Sequence, residues 1–162
     1  MAAAGRTEVG QEPSGGVVPF KLDYTASREM AIRAGRYVRR ARDAHIFLTY
    51  SDATLGPAED FGLELWGMLP GGLTDDETDE LRRRLILELG AYFGETLIHN
   101  HGGIWGWATI GGRRVFALRT SSGFTVFPTH KARKRLWGQE PESIVSVYSF
   151  LSRWPPLKQS RR

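Results

Sequence analysis

The sequence predicts an α+β fold in which a three-stranded antiparallel meander packs on one long helix, with further helices at both ends. Apolar residues recur with a helical period over 75–100, and the period changes to two over 104–127, where paired glycines separate strand-like segments. The 162 residues, of which 41% are apolar and 25% charged, suit one globular domain that needs neither metal nor disulfide. We therefore expect a single domain over 20–154, between a disordered leader (1–19) and a basic flexible tail (155–162).

The first helix is predicted over 28–44, where a modest apolar stripe is surrounded by arginines. Asp23, Thr25 and Ser27 are alternative capping residues, because each side chain can accept a bond from the first backbone N–H groups. The next segment, 45–50, is rich in strand-favouring residue types but could equally continue the helix.

Residues 51–80 contain no lysine or arginine and many acidic residues, with aromatic and apolar side chains among them. Pro57 and the sequence Pro70-Gly71-Gly72 are expected to divide this region into a short helical or irregular piece and a loop.

The long helix has the clearest local signals. Thr74 to Glu77 forms a capping box, in which the Thr hydroxyl and the Glu carboxylate each satisfy an unpaired backbone donor. The helix is expected to end near Gly102, which supplies a left-handed cap. The side chains expected to face the core are Leu81, Leu85, Leu89, Tyr92, Phe93 and Leu97.

The strands follow directly. Ile104–Ile110 and Arg113–Leu118 are joined by Gly111-Gly112, which predicts a two-residue hairpin, and Phe124–Phe127 is the third strand. Two short helices, Thr129–Trp137 and Pro141–Arg153, are expected to close the domain.

Composition and motifs exclude several function classes. Without cysteine there is no disulfide, thiolate metal ligand or cysteine nucleophile. No serine lies in a nucleophile-elbow pattern, and no phosphate-binding loop is present. No apolar run approaches the roughly 18–20 residues that span a bilayer, and the N-terminus lacks the apolar region of a secretory signal. We therefore expect a cytoplasmic protein with no cofactor and no membrane association.

Three short motifs carry a family resemblance. They are Gly90-Ala91-Tyr92-Phe93-Gly94-Glu95, then Gly102-Gly103-Ile104-Trp105, then Pro128 with Lys131, Lys134, Arg135 and Leu136. The pattern resembles a group of small uncharacterised actinobacterial proteins with a G-x-Y-x-G-E helix, a G-G-x-W strand start and a P-x-x-K-x-x-K-R-L segment. Ser143-Ile144 and the opening Leu22-Asp23-Tyr24-Thr25 are also similar, so the likeness covers roughly 20–25 and 88–150. It implies a bacterial cytoplasmic protein with the helix–sheet–helix order given above, and no assigned activity.

Glu95, His99 and His101 are the candidate metal or acid/base set. Glu95 and His99 are four residues apart on one helix face, and with His101 they could supply three ligands to a divalent ion or pair a carboxylate with an imidazole. The spacing matches no strong metal signature, so no metal is assigned. The alternative is that Glu95 makes a local ion pair or cap and that both histidines are exposed at the helix end.

Gly90 and Gly94 lie one helical turn apart. Because they have no side chain, they are expected to let the sheet or another helix approach closely.

Arginine dominates the basic residues. Of 22 basic residues 18 are arginine, the net charge is +4 and the pI is about 9.7. Arginine-rich faces near Trp105, Trp107 and Trp137 could form a surface that tracks phosphates and stacks bases. Against this, the chain has 18 acidic residues and no recognised nucleic-acid motif. The basic faces lie in 28–42, 82–84, 113–114, 131–135 and the tail.

The acidic segment 51–80 has two interpretations. It could fold back on the basic helix, or its aromatic residues could form a binding surface for a basic partner. We predict a non-catalytic protein-binding module, such as an adaptor, a regulator or an immunity-like protein, whose partner is another protein. Nucleic-acid binding and metal or acid/base chemistry are the alternatives. The candidate binding residues are Phe61, Trp66, Met68, Glu95, Trp105, Lys131, Lys134 and Arg135.

Overall fold

A computed structural model describes residues 18–69, 76–138 and 143–157 and confirms an α+β architecture. The predictions made for the leader up to residue 17, the Thr74 cap, Pro141 and the end of the tail lie outside these residues. In chain order the elements are β1 (Phe20–Leu22), α1 (Tyr24–Asp43), α2 (Asp52–Met68), α3 (Asp76–His101), β2 (Gly103–Ile110), β3 (Arg113–Thr120), β4 (Thr125–Val126), α4 (Pro128–Leu136) and α5 (Ile144–Ser152).

The sheet is antiparallel in the order β1-β2-β3-β4, so the described chain forms four strands where the sequence predicted three. The strand that was not predicted is β1, which pairs Phe20 with Ala108 and Leu22 with Gly106. It is only three residues long, too short to show a period of two. A Cβ at position 106 would overlap the Lys21 carbonyl, so glycine permits the close approach of this edge strand.

The predicted hairpin between β2 and β3 is confirmed. Gly111 and Gly112 both have positive φ, +56° and +75°, as a type I′ turn requires, and Ile110 pairs with Arg113 across the turn.

The connections around α1 resolve two open points. Asp23 caps the helix by accepting a bond of 2.8 Å from the Thr25 backbone N–H. Segment 45–50 is neither helix nor strand. His45 and Tyr50 have φ values of +61° and +58°, which no regular element formed by non-glycine residues uses.

Helix α2 is longer than predicted, at 17 residues, and it runs through Pro57. A proline here removes one backbone bond, but the same helix buries Leu55, Ala58 and Phe61. Burial of this apolar face offsets the lost bond.

The core forms around α3, which contacts all four other helices. Leu85, Leu89, Tyr92, Phe93 and Leu97 are buried as predicted, whereas Leu81 is exposed. The Gly90 and Gly94 prediction is also confirmed: a Cβ at position 90 would overlap the Thr129 backbone of α4, and one at position 94 would overlap the Trp105 ring of β2.

Among the described helices, none combines the length and the apolar character that crossing a bilayer requires.

Candidate functional site

A polar groove lies between α1 and α3, and we call it the arginine groove. On α1 its residues are spaced by three and four positions and therefore share one face; the same holds on α3. The groove has a volume of about 560 Å³. Its lining residues are Arg33, Arg36 and Arg40 of α1 with Glu80, Arg83, Arg84, Leu87 and Glu88 of α3.

Three of its arginines have acidic partners. Arg33 binds Glu29 at 2.9 Å, Arg40 binds Glu88 at 3.0 Å, and Arg83 lies 3.7 Å from Glu80.

The other two, Arg36 and Arg84, are exposed and pair with no acid of the described chain. Five arginines and two glutamates line the groove, so positive charge is in excess. The two guanidiniums without an ion-pair partner in the described chain come from different helices and border the same space, which they share with Glu88.

Glu88 is the buried acid of this groove. Its Oε1 accepts a bond of 3.3 Å from Arg40, while its Oε2 has no bond of good geometry within the described chain. Burial raises the pKa of Glu88, and Arg40, followed by Arg84, opposes that shift. Glu88 thus holds the Arg40 guanidinium against the groove wall.

The positive surface extends along α1 and ends at the start of α3. Arg33 and Arg36 also border a depression of about 350 Å³ that includes Arg28. At the other side, Arg84 borders a depression lined by acids of the first turn of α3, Asp76 and Glu77. An anion would therefore be attracted along the α1 side.

A second surface, which we call the tryptophan patch, combines Trp66, Arg82, Arg133 and Trp137. The two indole rings lie 5.0 Å apart between centroids and are tilted by 60°. The Arg82 guanidinium lies 6.0 Å from both rings, and that of Arg133 lies 5.8 Å from the Trp137 ring. Trp137 remains 47% exposed.

The predicted protein-binding residues of α2 do not form one exposed surface. Phe61 is buried against Tyr37, with ring centroids 5.6 Å apart, and Trp66 is half-buried in the tryptophan patch. Met68 is 65% exposed. The exposure predicted for Phe61 is wrong, because the helix turns this position toward the core.

The acidic segment folds back in part: its contact with α1 is made by Phe61 and Tyr37, whereas its buried carboxylate binds α4 and α5. Glu59 is buried, lies 3.5 Å from the Nε of Arg135, and accepts a bond from the backbone N–H of Ile144. It therefore joins three helices.

Two more of the predicted binding residues are buried. Lys131 lies inside the fold, and Trp105 is fully buried with its ring on Gly94. Lys134 is half-buried and has contacts of its own. Lys131 and Trp105 therefore contribute to the packing of the fold.

The structure divides the Glu95, His99 and His101 set. Glu95 is buried and accepts a bond of 2.9 Å from the Trp105 indole N–H; His99 Nε2 lies 3.6 Å from its other oxygen. His101 points elsewhere, with Nε2 3.0 Å from the hydroxyl of Tyr148. Six residues after Glu95, it has turned about 240° around the helix.

The three-ligand hypothesis therefore does not match this geometry. Across residues 18–69, 76–138 and 143–157, no group of three or more histidines, aspartates or glutamates could hold a metal ion.

Each of the two separated contacts, Glu95 with His99 and His101 with Tyr148, contains a group whose pKa is raised. Burial raises the pKa of Glu95, opposed by the Trp105 bond and then by His99. Burial and the bond to Asp52 raise the pKa of the Tyr148 hydroxyl. His99 also stacks on Tyr50 at 4.6 Å, which fixes the left-handed residue at the end of the α1–α2 connection. These contacts order the ends of helices.

The groove arginines were absent from the predicted set of binding residues, although their basic segments were recognised. The signal that could have found them is the spacing of Arg33, Arg36 and Arg40, which places a basic stripe on one helix face.

No model of a known protein family matches this chain, and neither does any curated protein. A solved structure from Bacteroides thetaiotaomicron is similar, with a TM-score of 0.59 and 15% sequence identity over 87% of this chain. The match covers 50% of that protein, so this chain spans about half its length. At this identity the likeness shows the fold alone.

Proposed function

We propose that this protein binds nucleic acid in a bacterial cytoplasm and that the arginine groove holds the phosphates. The observation that carries the proposal is the pair Arg36 and Arg84. They are exposed at the same groove, on two helices, with no acidic partner in the described chain. An anion bound in this groove would be attracted by both positive charges.

Arginine suits this task because its planar guanidinium donates two parallel bonds to a phosphate. Glu88 holds Arg40 in place before any ligand arrives, so less side-chain entropy is lost on binding. The open, polar groove continues toward Arg28, which suits an extended ligand with repeated charges.

The test is fluorescence anisotropy with labelled oligonucleotides at several salt concentrations, comparing the parent with the double variant Arg36→Ala, Arg84→Ala. We expect at least a tenfold loss of affinity, and a slope of log K against log salt that is shallower by about two, one for each lost phosphate contact.

The matched control is Arg113→Ala with Arg153→Ala, which removes the same charge from two exposed positions elsewhere. The proposal requires the control to keep most of the affinity. Equal losses in both double variants, or parental binding by the groove variant, would overturn it.

A protein-binding role is the second candidate, supported by Met68, an apolar side chain 65% exposed at the end of the acidic helix α2. Met68→Asp and Phe47→Asp form a matched pair, because Phe47 is also exposed but lies on the α1–α2 connection. Each variant is used to capture proteins from nuclease-treated lysate. A partner that is lost with Met68→Asp and kept with Phe47→Asp supports this role. A partner kept by both variants counts against it.

A further inference from the structure

We infer that the nucleic acid is bound as a single strand, with an unpaired base stacked on Trp137. The inference rests on the proposed function and names the class of its ligand. It starts from the tryptophan patch, which lies outside the arginine groove.

Of the three tryptophans near basic segments, Trp137 is the one with an exposed ring. Trp105 is fully buried, and Trp107 stacks on Phe116 at 4.3 Å with Arg114 at 4.4 Å from its ring centroid. Trp137 instead follows the last residue of α4, and about half of its surface is exposed. Its exposed ring surface is therefore accessible to a ligand.

The neighbours of Trp137 favour a base with its phosphate over an apolar ligand. The guanidiniums of Arg82 and Arg133 lie over the Trp137 ring, 6.0 and 5.8 Å from its centroid, so cations stand at the face on which a base would stack. Trp66 supports the ring from the side, at 5.0 Å and a tilt of 60°. Proteins that bind single-stranded nucleic acids combine aromatic side chains with cationic groups. The bases stack on the aromatic rings, and the phosphates bind the cations.

The patch and the groove lie on two sides of one helix. Arg82 belongs to the patch and Arg84 to the groove; two residues apart on α3, they diverge by about 200°. The N-terminal half of α3 is therefore a ridge between them. A flexible strand can cross this ridge with phosphates on both sides, whereas the bases of a duplex are paired and stacked internally and cannot reach Trp137.

The test compares a labelled oligothymidylate with a duplex of equal length, using the parent, Trp137→Ala and Trp154→Ala. Trp154 is the control because it is also partly exposed, at 41%, but packs on Phe124 away from this patch. We expect Trp137→Ala to weaken single-strand binding about tenfold or more and to leave duplex binding within about twofold. Trp154→Ala is expected to change neither.

Intrinsic fluorescence gives a second readout that does not depend on affinity. We expect oligothymidylate to quench part of the parent emission, and Trp137→Phe to remove that quenching while circular dichroism stays parental. If Trp137→Ala binds both ligands like the parent while the Arg36/Arg84 variant loses both, the inference is wrong and the proposed function stands. If the parent binds neither ligand, both are wrong.

Discussion

Trp105 donates its indole N–H to the carboxylate of Glu95 across 2.9 Å, while its ring lies on Gly94, the preceding residue of α3. The Trp105 side chain of β2 thus contacts two neighbouring positions of α3: its ring packs on Gly94, and its N–H binds Glu95. Both Trp105 and Glu95 had been predicted as binding residues. Their buried contact instead fixes the sheet on the helix.

The bond between Trp105 and Glu95 predicts different effects for two substitutions at position 95. Glu95→Gln keeps an oxygen acceptor without a buried charge, so we expect an unfolding free energy at pH 7 equal to or above that of the parent. Glu95→Leu leaves the indole N–H unpaired and is expected to cost about 1–3 kcal/mol. Chemical denaturation at pH 7 measures both. A Gln variant as unstable as the Leu variant would contradict this assignment.

The same site has a defined pH dependence. Burial raises the pKa of Glu95, so the folded state binds the proton more tightly than the unfolded state. The resulting stabilisation is complete below the ordinary glutamate pKa and is lost as the pH rises through the folded pKa. The advantage of Glu95→Gln over the parent is therefore expected to grow between pH 4 and pH 7.

Gly94→Ala is expected to destabilise the fold by about 1–3 kcal/mol, because the added Cβ overlaps the Trp105 ring. Gly67→Ala is the control, since that helical position has open space around it and alanine is favoured there by about 0.5–1 kcal/mol. Thermal or urea unfolding compares the two. Opposite signs are expected, and a Gly94→Ala variant as stable as the parent would refute the close packing.

Arg135→Ala is expected to lower stability by about 1–3 kcal/mol and to leave nucleic-acid affinity within about twofold. Arg135 lies 3.5 Å from the buried Glu59, which also accepts the Ile144 backbone N–H, so the variant leaves that carboxylate without its cation. Arg113→Ala, on the exposed hairpin, serves as the control in urea unfolding and anisotropy. An Arg135→Ala variant that loses nucleic-acid affinity but not stability would show instead that Arg135 contacts the ligand.

Local signals explain which parts of the fold were predictable. The long helix and the Gly111-Gly112 hairpin depend on neighbouring residues, and both were predicted close to their observed bounds. The strand β1 depends on a partner far along the chain, with Lys21 opposite Trp107. Its three residues are too few to show the apolar–polar alternation that predicts a strand. Local rules also fail to predict that helix α2 continues through Pro57, because the burial of its apolar face offsets the lost backbone bond.

The candidate site was only partly predictable for the same reason. The spacing of the arginines on α1 shows a basic stripe, but only the packing of α1 beside α3 brings Arg36 and Arg84 to one groove. Likewise, nothing local distinguishes Trp105 from Trp137. One faces α3 from the sheet and is buried, and the other follows the end of a short helix and is exposed.

Glu88→Gln is expected to tighten nucleic-acid binding about three- to tenfold, because it removes a negative charge from the groove that receives phosphates. Glu64→Gln removes an equal charge from an exposed position on α2 and is the control. Anisotropy at fixed salt measures both. Weaker binding by Glu88→Gln, matched by Arg40→Ala, would show that holding Arg40 in place outweighs the negative charge of Glu88.

The pH dependence of nucleic-acid affinity tests the charge effect of Glu88 separately from its hold on Arg40. Glu88 faces Arg33, Arg36, Arg40 and Arg84, with Glu80 at the same groove, and burial already raises its pKa. A bound phosphate raises that pKa further, so the complex takes up a proton and the parent binds more tightly as the pH falls from 8 toward 5.5. Glu88→Gln cannot take up this proton, and its affinity is expected to change less over the same range. Equal pH dependence in the two proteins would assign the proton to another group.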